Sequence, residues 1–319
     1  MTELDLQDLR RRLGGAGVTG VEPLAGGASS LTFRGARDGR AVVIKVAQPG
    51  VEPVAHRDVL RQARIMKVLA ATRVPVPEVL WEDDGDPPLT PPLFVMSHVE
   101  GDCVEPLFDG CAPTADLPDR YRNASRVMAA LHGLSPPELG LGGEPVVDPV
   151  AEVRRWCDTL QTVDEALVSG WQGVREALLA SAPTGVGPSV VHGDFRVGNL
   201  IAVGDRIDAV VDWEIWSIGD PRVDVGWFLI NCDPDTYQRV PAAAGMAPPI
   251  TELAEIYQRE LGREVTDLPW FAALACFKSA ATWSLIVKHN RRRRSPRADL
   301  EAMATGLPRL LARAESIVN

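Results

Sequence analysis

The sequence predicts an α+β protein in which a strand-rich N-terminal region is followed by a mostly helical remainder. Residues 41–46 and 93–96 are short apolar runs typical of buried strands. Later in the chain, apolar residues recur at three- and four-residue steps, as in the stripe formed by Tyr121, Ala124 and Met128. A chain of 319 residues is long enough to bury a core in each of the two regions.

Composition narrows the function classes. A net charge of -10 and a pI of about 5.1 argue against general nucleic-acid binding. The five cysteines form no Cys-x-x-Cys pair, and their odd number suits reduced thiols in a cytoplasm. The N-terminus lacks the pattern of a signal peptide. Residues 270–287 are apolar but interrupted by polar side chains, so we expect a buried helix and no membrane partner.

A glycine-rich loop lies between two predicted strands near the N-terminus. Gly26 and Gly27 would let backbone amides approach a phosphate, and Ser29 and Ser30 add hydroxyl donors. From the sequence alone, an ordinary hairpin turn is the better explanation of the same residues.

The next predicted strand, residues 41–46, contains a lysine. Burying the ammonium of Lys45 is costly unless it meets an anion, and the phosphates of a nucleotide would serve. The alternative is a lysine at the sheet edge that extends into solvent. A helix is predicted over residues 57–70, and Gln62 falls on its apolar face.

The stretch from residue 189 to residue 227 contains several polar residues whose side chains could take part in catalysis or bind a metal ion. It predicts a buried strand, an exposed turn with Asp194, and then a hairpin. Asn199 lies just before the hairpin and Asp212 just after it. The three side chains are therefore expected to converge on one small volume.

These residue types suit phosphoryl transfer. A carboxylate such as Asp194 can orient a hydroxyl group and accept its proton. The oxygens of Asn199 and Asp212 are the hard ligands that magnesium prefers. Each residue alone is more often a turn cap, but three at these offsets favour a site.

The combination of His192-x-Asp194, Asn199 and Asp212-Trp213-Glu214 resembles the aminoglycoside phosphotransferase and choline kinase group of small-molecule kinases. The resemblance implies that Asp194 is the catalytic base and that Asn199 and Asp212 hold Mg²⁺. Glu214 stands where protein kinases carry the glycine of Asp-Phe-Gly. The loss of that glycine's backbone freedom argues against a swinging activation segment.

The resemblance also implies a protein-kinase-like fold of two lobes. Residues 1–100 would form an N-terminal nucleotide-binding lobe, an antiparallel sheet plus a helix, that ends in a hinge. Residues 101–319 would form a mostly helical catalytic and substrate lobe. Asp220 and Asp224, in a Gly-Asp-Pro-x-x-Asp segment, are expected to brace the catalytic loop by accepting backbone hydrogen bonds.

Nucleotide contacts follow from the same resemblance. Lys45 would pair with the α and β phosphates, the loop from Gly26 to Ser30 would cover the phosphates, and backbone groups of Ser97, His98 and Val99 would grip adenine at the hinge.

Gln62 is a departure from the family pattern, because it replaces the glutamate that usually pairs with the strand lysine. Either Lys45 relies more on the nucleotide, or Glu52 or Asp58 substitutes for the acid, or activity is weakened.

The expected function is phosphorylation of a small molecule's hydroxyl group, with ATP or GTP as donor and Mg²⁺ as cofactor. A nucleotide-binding pseudokinase is one alternative, because of Gln62. An aminoglycoside resistance kinase is another, and it requires acidic residues such as Asp233, Asp235, Glu252 and Glu255 to cluster. A protein-substrate kinase is less favoured, since no regulated segment is evident between Asp212 and Asp224. The substrate, the nucleotide preference and the oligomeric state are left open.

Overall fold

The chain divides into two units in the computed structural model, which describes residues 4–24, 30–105, 114–237 and 244–318. Unit 1 comprises Met1–Cys103 and Asn199–Trp216, and unit 2 comprises Val104–Gly198 and Ser217–Asn319. Asn199 and Asp212 therefore belong with the N-terminal region, whereas Asp194 belongs to unit 2. The single lobe boundary near residue 100 stays a prediction.

Unit 1 is built on a five-stranded antiparallel sheet with the strand order β1-β2-β3-β5-β4. Its strands are β1 (Val18–Pro23), β2 (Ser30–Arg37), β3 (Arg40–Ala47), β4 (Val79–Asp83) and β5 (Leu93–Ser97). Its helices are α1 (Leu6–Gly15) and α2 (Val59–Leu69). The predicted N-terminal antiparallel sheet and helix are confirmed.

Strand alternation separates two faces of β3. Val42, Ile44 and Val46 are buried in one cluster with Leu9 and Leu13 of α1. Because side chains alternate along a strand, Lys45 lies on the opposite face.

Unit 1 also contains a hairpin of β8 (Leu200–Val203) and β9 (Arg206–Val210), which turns at Gly204 with a φ of +62°. Backbone hydrogen bonds join the hairpin to the rest of the unit. Asp102 and Ala202 exchange two hydrogen bonds of 3.0 Å, and the Val210 amide donates to Pro75 at 2.8 Å. The predicted strand, turn and returning strand are confirmed.

Unit 2 is mostly helical. Its helices are α3 (Leu117–His132), α4 (Pro149–Leu160), α5 (Trp171–Ala180), α6 (Arg222–Cys232), α7 (Pro234–Tyr237), α8 (Ile250–Leu261), α9 (Leu268–Arg291), α10 (Ala298–Glu301) and α11 (Leu307–Val318). A small sheet has the order β6-β10-β7, from β6 (Val146–Val147), β7 (Ser189–Val191) and β10 (Ser217–Gly219).

Helix α9 is the centre of the unit 2 core. By length and composition it could cross a membrane, but 78% of its most apolar window is buried inside the protein. Aromatic side chains such as Phe271 and Phe277 pack within the same core cluster. This matches the prediction of a buried helix.

Candidate active site

The loop of residues 192–196, here called the Asp194 loop, leaves a fully buried strand. β7 pairs antiparallel with β10, so its end is fixed. Gly193 adopts a φ of +86°, a left-handed conformation that glycine tolerates best. The turn places Asp194 at a half-buried position in unit 2.

Asp224 in α6 braces this loop from within the core. Its carboxylate accepts hydrogen bonds from the backbone amides of His192 at 2.6 Å and Gly193 at 2.8 Å. His132 Nε2 lies 3.2 Å from the same carboxylate. Burial alone would raise the pKa of Asp224, but the hydrogen bonds from His132 and the His192 amide hold the pKa below its usual value. The predicted brace is confirmed for Asp224.

Asp220 braces a different segment from the one predicted. Its carboxylate accepts hydrogen bonds from the Val186 amide at 3.2 Å and from Arg222, which is itself buried. Val186 precedes β7, whereas the Asp194 loop follows it. The prediction that Asp220 holds the catalytic loop is wrong because the buried Arg222 guanidinium draws its carboxylate toward the preceding segment.

The carboxylate of Asp194 is held by two donors that the sequence did not reveal as partners. Trp227 Nε1 in α6 donates to Oδ1 at 2.8 Å, and Arg196 Nε lies 3.2 Å from Oδ2. Arg196 also binds Glu105. Burial would lower the pKa of Arg196, but the carboxylates of Asp194 and Glu105 raise it, so the guanidinium stays charged.

Only one of these partners carried a signal in the sequence. Arg196 lies two residues after Asp194, close enough to pair with it locally. Trp227 and Glu105 come from distant parts of the chain, and neither stands out by type or spacing.

Asn199 and Asp212 lie at the open end of the β8–β9 hairpin in unit 1. Leu200 pairs with Val210, and the Val211 amide donates to the Asn199 carbonyl at 3.0 Å. Asn199 is buried, and Asp212 adopts a φ of +67°, which is uncommon for a residue with a side chain. Strain of this kind is concentrated at functional sites. One neutral and one anionic oxygen donor at one hairpin end fit Mg²⁺.

The segment after Asp212 is anchored by two buried indoles. Trp213 Nε1 donates to the Val210 carbonyl at 2.9 Å, and Trp216 Nε1 donates to the Arg61 carbonyl at 3.1 Å. The Arg61 guanidinium also lies 3.9 Å from the centroid of the Trp216 ring. These contacts fix the chain on both sides of Glu214.

Lys45 and Gln62 each have a polar group with no hydrogen-bond or ion-pair partner among the described residues. Lys45 makes no hydrogen bond or ion pair with any of them, and Gln62 Nε2 is buried without a partner. Neither predicted substitute forms an ion pair with Lys45, because Asp58 caps α2 through the amides of Leu60 and Arg61 and Glu52 is exposed. Of the three possibilities raised by Gln62, reliance of Lys45 on the nucleotide fits this arrangement.

Ser30 begins β2, and its hydroxyl is a further buried group without a partner among the described residues. Gly26, Gly27 and Ser29 lie outside the described residues.

Two of the three predicted hinge amides are already used within unit 1. The Ser97 amide donates to the Glu78 carbonyl at 2.8 Å, and the His98 amide donates to the Ala41 carbonyl at 3.2 Å. Val99 makes no backbone hydrogen bond with the rest of the described chain.

A model of the phosphotransferase enzyme family matches residues 20–274. The chain belongs to this family. The resemblance deduced from the sequence is thereby confirmed, and the chain is a member of a family of phosphotransferases.

Solved structures of the family share the fold. A candidate aminoglycoside phosphotransferase from Ralstonia eutropha superposes with a TM-score of 0.79 over 99% of this chain and 98% of its own, at 22% identity. An aminoglycoside phosphotransferase variant bound to ADP and hygromycin B gives a TM-score of 0.64 over 98% of each chain, at 18% identity. The predicted α+β, protein-kinase-like fold is confirmed.

A curated relative extends beyond the matched region. Acyl-CoA dehydrogenase family member 11 of Pongo abelii is 28% identical over 269 residues, which cover 80% of this chain. The chain spans only about a third of that relative's length, 34%.

Proposed function

We propose that this chain transfers the γ-phosphate of ATP to a hydroxyl group of a small molecule, with Mg²⁺ as cofactor. The observation that carries the proposal is the Asp194 carboxylate, oriented by Trp227 and Arg196 on a loop whose backbone is held by Asp224. A carboxylate fixed in this way is suited to orient an alcohol and accept its proton.

The proposed reaction is a direct displacement. The acceptor oxygen forms a bond to the γ-phosphorus while the bond from that phosphorus to the β–γ bridging oxygen breaks. The hydroxyl proton passes to Asp194, and ADP leaves with the bridging oxygen. Bound Mg²⁺ would neutralise charge on the phosphate oxygens, and Asn199 and Asp212 are the residues proposed to hold it.

The proposed nucleotide contacts lie in unit 1. Lys45 has no acidic partner among the described residues, so its ammonium would pair with phosphate oxygens. The unpartnered donors of Ser30 and Gln62 would add hydrogen bonds. At the hinge, Val99 offers an amide that no other described residue uses, and Ser97 and His98 flank it. Gly26, Gly27 and Ser29 complete the proposed phosphate loop.

The acceptor is proposed to be neutral or anionic. Cationic aminoglycosides need uncompensated acidic residues, but two of the four acids suggested for that role are paired with arginines. Asp233 binds Arg313, and Glu252 lies 2.6 Å from Arg122. The orangutan relative is named for acyl-CoA dehydrogenases, so acyl-linked hydroxy compounds belong among the acceptors tested. A cytoplasmic location is part of the same proposal.

A pseudokinase is the second candidate, favoured by the absence of an acid beside Lys45 among the described residues. Such a protein would bind Mg²⁺–ATP without transferring phosphate.

The test is a thermal-shift screen followed by an assay of ADP release. The screen contains amino alcohols, sugars, acyl-linked hydroxy compounds and aminoglycosides, each with Mg²⁺ and a non-hydrolysable ATP analogue. Hits are then assayed with ATP. Acceptor-dependent ADP release by the wild type supports the proposal. Stabilisation by Mg²⁺–ATP without release for any acceptor would favour the pseudokinase, and no nucleotide stabilisation would contradict both.

A further inference from the structure

Lys278 in α9 is a buried cation beneath the Asp194 loop. Only 3% of the residue is exposed, and it forms no ion pair with any residue that the structure describes. Its Nζ donates to the backbone carbonyl of Gly193. The same Nζ lies 3.9 Å from the centroid of the Trp227 ring and 5.4 Å from that of Trp156.

An ammonium at this depth is expensive to bury, so its surroundings must offset the cost. The ring faces of two tryptophans supply cation–π attraction, which is strongest where water is excluded. The Gly193 carbonyl supplies a charge-assisted hydrogen bond. An apolar residue would fill the same position in a helix core without that cost. The lysine is therefore expected to have a role beyond packing.

The contacts of Lys278 lead directly to the Asp194 carboxylate. The indole that receives its cation–π contact, Trp227, donates from Nε1 to Asp194 Oδ1 at 2.8 Å. The carbonyl that it binds, Gly193, immediately precedes Asp194. Asp224 holds the amide of Gly193 at 2.8 Å. The backbone of Gly193 is thus held on two sides. Asp224 of α6 binds its amide, and Lys278 of α9 binds its carbonyl.

We propose that Lys278 is a positioning residue, which holds the Gly193 carbonyl and the Trp227 indole so that the Asp194 carboxylate faces the acceptor hydroxyl. This inference rests on the proposed function, because the role of Asp194 as proton acceptor gives the positioning its consequence.

The charge of Lys278 depends on its neighbours. The charged groups that act on it are Glu152 and Arg155 of α4, Asp194 of the Asp194 loop and Asp224 of α6. Burial lowers the pKa of Lys278 to about 8, against the opposing effect of the three carboxylates. The positive charge is therefore present below about pH 8 and lost above it.

Lys288 provides a matched control on the same helix. Its Nζ also donates to a backbone carbonyl, that of Thr162 at 2.6 Å, but this hydrogen bond is exposed to solvent. The variants are Lys278→Met, Lys278→Arg and Lys288→Met. For each, kcat, the KM for ATP, the Tm and hydrogen exchange of the peptide spanning residues 190–198 are measured from about pH 6.5 to about pH 9.5.

In Lys278→Met we expect kcat to fall by about 10- to 100-fold, because a small misplacement of a reacting group has effects of that size. The KM for ATP should change by less than about 2-fold, since the contacts of Lys278 are with Gly193, Trp156 and Trp227 of unit 2 and the proposed nucleotide residues belong to unit 1. Hydrogen exchange in residues 190–198 should increase. Lys288→Met should match the wild type.

Lys278→Arg separates positioning from packing. A guanidinium stays charged over the whole pH range, so this variant should retain most of kcat and lack the decline expected of the wild type above about pH 8. If Lys278→Met fails to fold, the pH dependence of kcat in Lys278→Arg still tests the proposal.

Two results would overturn the inference. One is a Lys278→Met variant with the kcat and loop exchange of the wild type. The other is an alkaline decline in kcat that persists unchanged in Lys278→Arg. If the wild type transfers phosphate to no acceptor, the proposed function fails, and the exchange data alone decide whether Lys278 holds the loop.

Discussion

At the scale of single residues, Gln62 carries a buried polar group that bears on the proposed nucleotide site. Its amide nitrogen is buried without a partner, and the residue is only 2% exposed. Leaving such a donor unsatisfied costs about 1–3 kcal/mol. A nucleotide phosphate would accept a hydrogen bond from this amide. A glutamate at the same position could not donate such a bond.

Replacing Gln62 by leucine tests this reading. In the ligand-free protein, Gln62→Leu removes the unsatisfied amide and should raise the Tm by about 2 °C. The Tm increase caused by Mg²⁺–ATP should become smaller, because a hydrogen bond to the nucleotide is lost. Met66→Leu, a conservative change at another buried position of α2, is the control. A lower ligand-free Tm with an unchanged nucleotide effect would contradict the assignment.

Asp224 is the second residue whose chemistry has a measurable consequence. Its folded-state pKa lies below the unfolded value of about 3.9. The stability it contributes is thus fully present above about pH 4 and is lost as the pH falls through the lower folded-state pKa. Asp224→Asn should reduce the free energy of unfolding by about 3 kcal/mol at neutral pH.

The difference in Tm between Asp224→Asn and the wild type should shrink in acid, below the folded-state pKa of Asp224. Thermal unfolding at several pH values measures it. Asp116→Asn, at an exposed position without a capping hydrogen bond, should follow the wild type. A difference that stayed constant with pH would show that Asp224 does not contribute as a paired carboxylate.

At the scale of elements, α6 connects the Asp194 loop to the core. All eleven residues of α6 are buried, and the helix supplies both Asp224 and Trp227. Its close approach to α9 depends on Gly226, because an added Cβ would lie 2.4 Å from the carbonyl oxygen of Phe271. The position of the Asp194 carboxylate, the proposed proton acceptor, therefore depends on how tightly these two helices pack.

A pair of glycine substitutions tests this packing. Gly226→Ala should lower the free energy of unfolding by about 1–3 kcal/mol through overpacking, and should reduce kcat as well. Gly173→Ala in α5 adds the same methyl group where nothing lies within 4 Å, so it should stabilise the protein by about 0.5–1 kcal/mol. Denaturant unfolding and turnover are the measurements. If the two substitutions changed the free energy of unfolding and kcat equally, the close packing of α6 on α9 would not depend on Gly226.

At the scale of the whole molecule, the proposed chemistry is divided between the two units. Lys45, Asn199 and Asp212 belong to unit 1, and Asp194 belongs to unit 2. Nucleotide binding and proton acceptance are thus assigned to separate parts of the chain, and they should respond to different substitutions.

Asp194→Asn should reduce turnover by about 10²- to 10⁴-fold, the usual contribution of a general base, while the Tm increase from Mg²⁺–ATP is retained. Asp212→Asn should lose the part of that Tm increase that depends on Mg²⁺. Asp235→Asn, an exposed acid, is the control for both. Loss of nucleotide stabilisation in Asp194→Asn, or turnover that survives it with every accepted substrate, would contradict the division of roles.

Local patterns account for the features that were predicted correctly. The β8–β9 hairpin, the strand with Lys45 and the buried helix α9 follow from alternation, turn residues and apolar length, all of which act over a few neighbouring residues. The placement of Asn199 and Asp212 at one hairpin end follows from the same signals, since Leu200 pairs with Val210.

The partners of Asp194 had no such local signal. Trp227 lies 33 residues from Asp194, Glu105 lies 91 residues from Arg196, and Lys278 lies 85 residues from Gly193. The mistaken assignment of Asp220 has the same origin, because only the packing places Arg222 and Val186 around its carboxylate.

The sequence by itself determined the family, the fold class and the identity of the candidate base and metal ligands, because these are recorded in residue type and short spacing. Only the tertiary structure decided which side chains orient the base, which brace serves which loop, and that the hairpin belongs with the N-terminal unit. Those contacts join residues that are far apart in the chain, and their distances are set by how buried helices and strands pack, which no short stretch of sequence specifies.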